Sequence, residues 1–269
     1  MEWWFVYLLT GVFVGFFAGL LGIGGGLIIV PVLISAFAAQ DFPSDRVVHL
    51  ALGTTMATII FTSAASLRVH HQHSAVDWYI VRSIAPGIVL GTFSGAVLTG
   101  SLTSQALSFI FILFIFYAAT QMLLQFCPNP MFRLPGKAGL MMIGGIIGIL
   151  SSLVAIGGGL LSVPFLTLCR IKLQQAIGTA AAIGFPIALA GTAGYAINGY
   201  LQPGELPGYS LGYVYLPAVA WLVAASMLTA PLGARMTHSA STAVLRVIFV
   251  LLLYGIGIKM LFQLFHSFQ

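Results

Sequence analysis

The residues whose types and spacing could do chemistry in this chain are glycines. Gly24, Gly25 and Gly26 stand in a row within LGIGGGLIIVP, and the run returns as Gly157, Gly158 and Gly159 within VAIGGGLLSVP, with Pro31 and Pro164 matched as well. Three glycines in succession stop a helix, and the proline suits the first turn or so of a new one. Backbone amides with no side chain over them donate hydrogen bonds without carrying charge, and the helix that restarts there adds the positive end of its dipole. Such a break suits an anion. Close helix packing is the competing use of glycine in apolar chains, but packing requires neither three in a row nor a placed proline, twice.

Other motifs recur with them. Leu52-Gly53-Thr54, followed by Thr55, returns as Ile177-Gly178-Thr179. Glycine lets a ligand approach the backbone and threonine offers an uncharged hydroxyl; the alternative is a hydroxyl bonded to the carbonyl four residues back. Arg82 lies within an apolar segment and could attract an anion, with Asp77 at the same end to hold it when no substrate is present. Snorkelling to the headgroups is the plainer reading of Arg82, Arg246 and Lys259. The substrate-binding set is therefore Gly24, Gly25, Gly26, Thr54, Thr55, Gly157, Gly158, Gly159, Thr179 and Arg82. His49, near the outer start of a span, is a candidate proton carrier. His70, His71 and His73 lack the cysteine or acidic cluster that would complete a metal site, so no metal is expected. Cys127 and Cys169 fall near span edges, away from the breaks. No nucleophile with its base, P-loop or dinucleotide fingerprint is evident, so neither catalytic residue nor cofactor is expected and the chain does not read as an enzyme.

The carboxylates Glu2, Asp41, Asp45, Asp77 and Glu205 all fall at span ends or in loops. A cation carrier or proton pump usually keeps an acid inside the membrane, so this distribution favours an anion. Proton coupling would then use the substrate itself, a histidine or an interfacial group. With 59% hydrophobic residues, 6% charged and a mean hydropathy of +1.07, the chain is excluded from the soluble class and its solvent is a lipid bilayer. The net charge of +5 comes from scattered basic residues that form no nucleic-acid face. Glu2, Trp3 and Trp4 read as an interfacial anchor and not as a cleavable signal.

Apolar segments are expected at 3–21, 27–39, 47–67, 76–98 and 105–126, and again at 138–155, 160–169, 173–197, 213–233 and 242–265. The first two together exceed one crossing, so they form a hairpin or two crossings. The chain reads as a first repeat, 1–126, a cytoplasmic linker, 127–137, and a second repeat, 138–269, in one integral membrane domain. Arg68, Arg133, Lys137, Arg170, Lys172 and Arg235 gather on one side, which the positive-inside rule makes cytoplasmic, leaving both termini periplasmic or extracellular. Five segments per half make the repeats inverted. The expected fold is all-α: a polytopic inner-membrane protein of two inverted repeats, each a glycine-broken helical hairpin plus three transmembrane helices.

The paired IGGGxxxVP element, the GT dipeptide after each hairpin and the chain length resemble the TauE/SafE family of membrane permeases, the sulfite exporter family. The resemblance implies secondary transport of a small sulfur-containing anion, such as sulfite, a sulfonate or a related compound, across a bacterial inner membrane. Combined with the glycine breaks, it gives an alternating-access carrier. The rivals are a non-transporting assembly partner, a sulfur-handling membrane enzyme, and a carrier of some non-sulfur anion. Direction, coupling ion and oligomeric state stay open at this point.

Overall fold

The computed structural model describes residues 3–21, 24–124, 133–202, 204, 206–239 and 243–266. Among these the first half forms α1 (Trp4–Leu21), α2 (Gly26–Ala38), α3 (Val47–Gln72), α4 (Trp78–Leu98) and α5 (Ser104–Leu124). The second half forms α6 (Lys137–Val154), α7 (Gly159–Leu168), α8 (Leu173–Leu201), α9 (Leu216–Ser239) and α10 (Ala243–His266). A 3-10 turn, Thr99–Ser101, follows α4, and two short strands, β1 (Ser210–Leu211) and β2 (Val214–Tyr215), precede α9. Among the described residues seven helices are long and apolar enough to cross a membrane, while α1, α2 and α7 are the shorter apolar ones.

Three features depart from the expected segments. The third helix continues through Gln72, because Arg68 to Gln72 contains no glycine or proline to stop it. His70 and His71 are thus helical, and His70 is buried. Secondly, α2 and α7 begin on the last glycine of each run, so Pro31 and Pro164 fall in the second turn and offer no N–H to the carbonyls of Leu27 and Leu160. Thirdly, residues 210–215 form a β-hairpin. Ser210 pairs with Tyr215 and Leu211 with Val214, closed by Gly212 at φ +55°, the positive φ that a two-residue hairpin loop requires.

The first two helices fold back on one another. Gln40, just past α2, donates to the Tyr7 hydroxyl at 2.7 Å, so the chain returns to the end where α1 began. The second pair closes similarly: Leu134, ahead of α6, packs in a small cluster with Leu166 near the end of α7. The halves then exchange partners. The main contacts of α1 are with α9 and those of α4 with α6, while α3 packs on α8 and α5 on α10. These seams are built from small residues. A Cβ on Gly15 or Gly19 would overlap the backbone of Ser226 or Ala230 in α9, and one on Gly87 or Gly91 would overlap the carbonyl of Met141 or Gly145 in α6. Lipid is as apolar as leucine, so close backbone approach is what favours helix pairing here. Over their most apolar stretches α3 is 83% buried and α10 only 28%, which makes α3 the centre and α10 the rim.

Candidate functional site

The two glycine runs build different turns that meet. Gly24 and Gly25 take φ values of +74° and +80°, where glycine alone is unstrained, and Gly25 then caps α2 with its carbonyl accepting from Ile28 and Ile29. In the second copy Ala155 takes the left-handed conformation after α6, Ile156 donates to Ser151 at 3.1 Å, and Gly158 is right-handed at φ −51°. A Cβ on Gly24 would stand 2.8 Å from Gly157 Cα and 3.4 Å from Ile59 Cγ2, near the middle of α3. On Gly26 it would overlap the Ala155 carbonyl oxygen. The tips therefore touch halfway along the most buried helix.

Between them lies a cavity of about 10 Å³ lined by Ala18, Gly24, Thr62, Ser63, Ser66, Gly157, Gly158, Ala181 and Gly184. That is roughly the space of one water. Its polar wall comes from α3. The Ser66 hydroxyl is 3% exposed and has no hydrogen-bond partner. Thr62 and Ser63 donate to the carbonyls of Ile59 and Ile60 at 3.3 and 3.2 Å, long bonds that a better acceptor could replace. Gly24, one residue before the N-cap of α2, and Gly158, the N-cap of α7, stand in the same lining. The described lining contains no charged side chain. The arrangement offers amides, hydroxyls and two helix dipoles to something that accepts hydrogen bonds.

Of the residues expected to bind substrate, Gly24, Gly157 and Gly158 line this cavity, and Gly25, Gly26 and Gly159 form the turns behind it. The threonines do other work. The Thr54 hydroxyl accepts from the Tyr215 N–H at 2.9 Å, and the Thr179 hydroxyl accepts from the Asp77 N–H at 3.0 Å. A Cβ on Gly53 would overlap the Tyr213 carbonyl oxygen, and one on Gly178 that of Ala75. Each glycine-threonine pair therefore seats the loop that leads into the fourth helix of the other half. Thr55 donates to Ala51 at 2.6 Å, the bond four residues back. Arg82 is exposed, and Asp77 does not hold it: that carboxylate caps α4, accepting from Tyr79 and Ile80 at 3.0 and 3.2 Å.

The histidines and cysteines are also accounted for. His49 Nε2 donates to Thr99 at 2.9 Å, with its ring 5.1 Å from that of Tyr213. His71 accepts from the Trp78 indole at 3.3 Å, and His73 Nδ1 donates to Val69 at 2.9 Å. Cys169 is buried just past α7, and burial pushes its thiol pKa up, which opposes thiolate formation. Cys127, Glu2 and Glu205, and the side chain of Arg246, lie outside the described residues. Sequence reasoning missed Thr62, Ser63 and Ser66. Nothing in their spacing sets them apart from hydroxyls that serve helix packing.

A family model described as sulfite exporter TauE/SafE matches residues 7–260. The chain belongs to the sulfite exporter TauE/SafE family. Curated relatives include a probable membrane transporter protein of Haemophilus influenzae, 39% identical over 94% of this chain and 96% of its own. Others are probable membrane transporter proteins of Methanocaldococcus jannaschii, 26% identical over 94% of each chain, and of Bacillus subtilis, 23% identical over 96% and 97%. No solved structure matches the chain significantly. A TauE/SafE member with seven such helices is a multi-pass membrane protein.

Proposed function

We propose that the protein is a secondary transporter of a small sulfur-containing anion, such as sulfite or a sulfonate, with its binding site at the meeting point of the two hairpin tips. The observation that carries this reading is the cavity between Gly24, Gly157 and Gly158, walled by Thr62, Ser63 and an unpartnered Ser66. Discontinuous helices whose N-termini converge near the midplane are a transporter's way of holding an anion. At about 10 Å³ the cavity is too small for a sulfur oxyanion, so this form is closed and the site opens by relative motion of the hairpins. The exchange of partners between halves, α1 with α9 and α4 with α6, supports two repeats of opposite orientation. Basic residues at one end of the bundle support a cytoplasmic placement of that end in the bacterial inner membrane, with both termini opposite. Proton coupling and oligomeric state are addressed by the flux measurements below and by sizing of the purified protein.

The test is uptake of labelled sulfite and methanesulfonate into proteoliposomes. Saturable uptake is expected for the wild type. Ser66→Ala removes one donor to a charged ligand and is expected to weaken apparent affinity about tenfold or more. An unchanged KM in that variant removes Ser66 from the site, and absence of uptake of both anions by the wild type overturns the sulfur assignment. Arg82→Gln, outside the cavity, is expected to leave uptake within about twofold, as for an ordinary surface substitution. A loss of about tenfold or more on that change would return the guanidinium to the substrate path.

A further inference from the structure

We propose that this cavity admits singly charged oxyanions only, so that sulfite crosses as hydrogen sulfite and carries its proton with it. The inference rests on the transport reading above and concerns which charge state the site accepts.

The argument is one of charge balance. Every element that reaches the cavity lacks formal charge over the relevant stretch: no Asp, Glu, Lys, Arg or His occurs in residues 3–40, 50–67, 138–169 or 173–203. The positive potential available comes from the N-termini of α2 and α7, 13 and 10 residues long. Each contributes about +0.5 of a charge, together about +1. A monoanion is matched by that sum, whereas a dianion leaves about one negative charge unbalanced inside a closed apolar bundle. The cost of burying an ion also rises with the square of its charge. Hydroxyls do not change this balance. Thr62, Ser63 and Ser66 supply three donors, and Ser66 is 3% exposed, without a partner and in the cavity wall. They orient an anion without neutralising it.

The charged and titratable neighbours of this wall lie further along α3, on α9 and at the start of α4. Arg68 is two residues beyond Ser66, turned by about 200° to the other side of the helix, and exposed. His70 is one turn beyond Ser66 on the same face and buried. In α9, which packs on α1 and α3, Arg235 follows the residue that meets Gly19 and is exposed. At the start of α4 the Asp77 N–H bonds Thr179 of α8, while its carboxylate is engaged in capping α4. The stretches of α1, α2, α6, α7 and α8 named above bring no Asp, Glu, Lys, Arg or His to the tips. The proton is therefore assigned to the substrate. The dianion takes one proton from water on the entry side to become hydrogen sulfite and returns it on the exit side. No oxidant or protein base takes part.

Uptake of sulfite and methanesulfonate is compared across pH in proteoliposomes with equal internal and external pH. Methanesulfonate is a monoanion throughout, whereas sulfite passes from monoanion to dianion above neutrality. Sulfite uptake at low concentration is expected to fall about tenfold per pH unit above its protonation midpoint, while methanesulfonate uptake stays level. His70→Gln is expected to keep that contrast, since the substrate is what titrates. Sulfite uptake that stays level with pH alongside methanesulfonate overturns the charge rule and leaves the transport reading standing. A parallel fall for both anions, abolished in His70→Gln, overturns it in favour of a titrating protein group. Absence of uptake of either anion at every pH overturns the transport reading and the charge rule together.

Discussion

Gly158→Leu is expected to yield a folded protein that no longer moves its substrate. Gly158 has φ −51°, which any L-residue adopts, so the change introduces no backbone strain. A Cβ there would stand 3.0 Å from Ile183 Cγ2, 3.1 Å from the Ala180 carbonyl and 3.3 Å from Ile187 Cδ1. Two of those neighbours are side-chain ends that can give way, so the stability loss is expected to be about 1–3 kcal/mol. The remaining leucine carbons have only the cavity of about 10 Å³ to enter. Uptake is therefore expected to fall below detection while thermal unfolding of the detergent-solubilised protein stays cooperative and moves by a few degrees. Gly24 is the poorer probe, because any side chain at φ +74° adds about 1–2 kcal/mol of strain at once. Wild-type uptake by folded Gly158→Leu would show that substrate does not pass between the tips.

The second large effect belongs to the crossed seats of the two halves. Gly53→Val and Gly178→Val are each expected to lower the unfolding temperature sharply and reduce the yield of monodisperse protein, because the added Cβ overlaps a backbone carbonyl, that of Tyr213 or Ala75. Thr54→Val tests the same seat without the overlap. It leaves the Tyr215 N–H without its acceptor, at a cost of about 1–3 kcal/mol. The seats are paired across 161 and 102 residues of chain, so damage at either is expected to destabilise both halves in one transition. Thermal unfolding and sulfite KM measured on the same preparations separate this role from substrate binding. A Thr54→Val protein with unchanged stability and a raised KM would move the threonine from the seat to the ligand.

The parts legible in the sequence were those that break a rule locally. Three consecutive glycines within an apolar run contradict helix propensity wherever they occur, and their duplication marks both tips in the sequence itself. Helix existence followed from apolar run length. Thr54 and Thr179 were found by their recurrence, but recurrence reports symmetry and says nothing of partner, and their partners are loops more than 100 residues away. Thr62, Ser63 and Ser66 gave no comparable signal, because small hydroxyl residues also serve helix packing and their own carbonyls. Only the approach of the tips to the middle of α3 singles them out. The hairpin at 210–215 is masked in the sequence because the apolar run from Tyr213 continues directly into the next helix.

The exchange of partners between halves also sets an order of assembly. About 40 residues separate the end of α4 from the start of its partner α6, whereas about 200 separate the end of α1 from α9. At synthesis rates of about 5–20 residues per second, α1 waits roughly 10–40 s for the helix it packs against. Its seam glycines lose little by facing lipid meanwhile. Its tip is different, since bare amides at Gly24 and Gly25 are expensive in hydrocarbon until the second tip and the middle of α3 surround them. The N-terminal hairpin is therefore expected to reach its final depth only after the second half has entered.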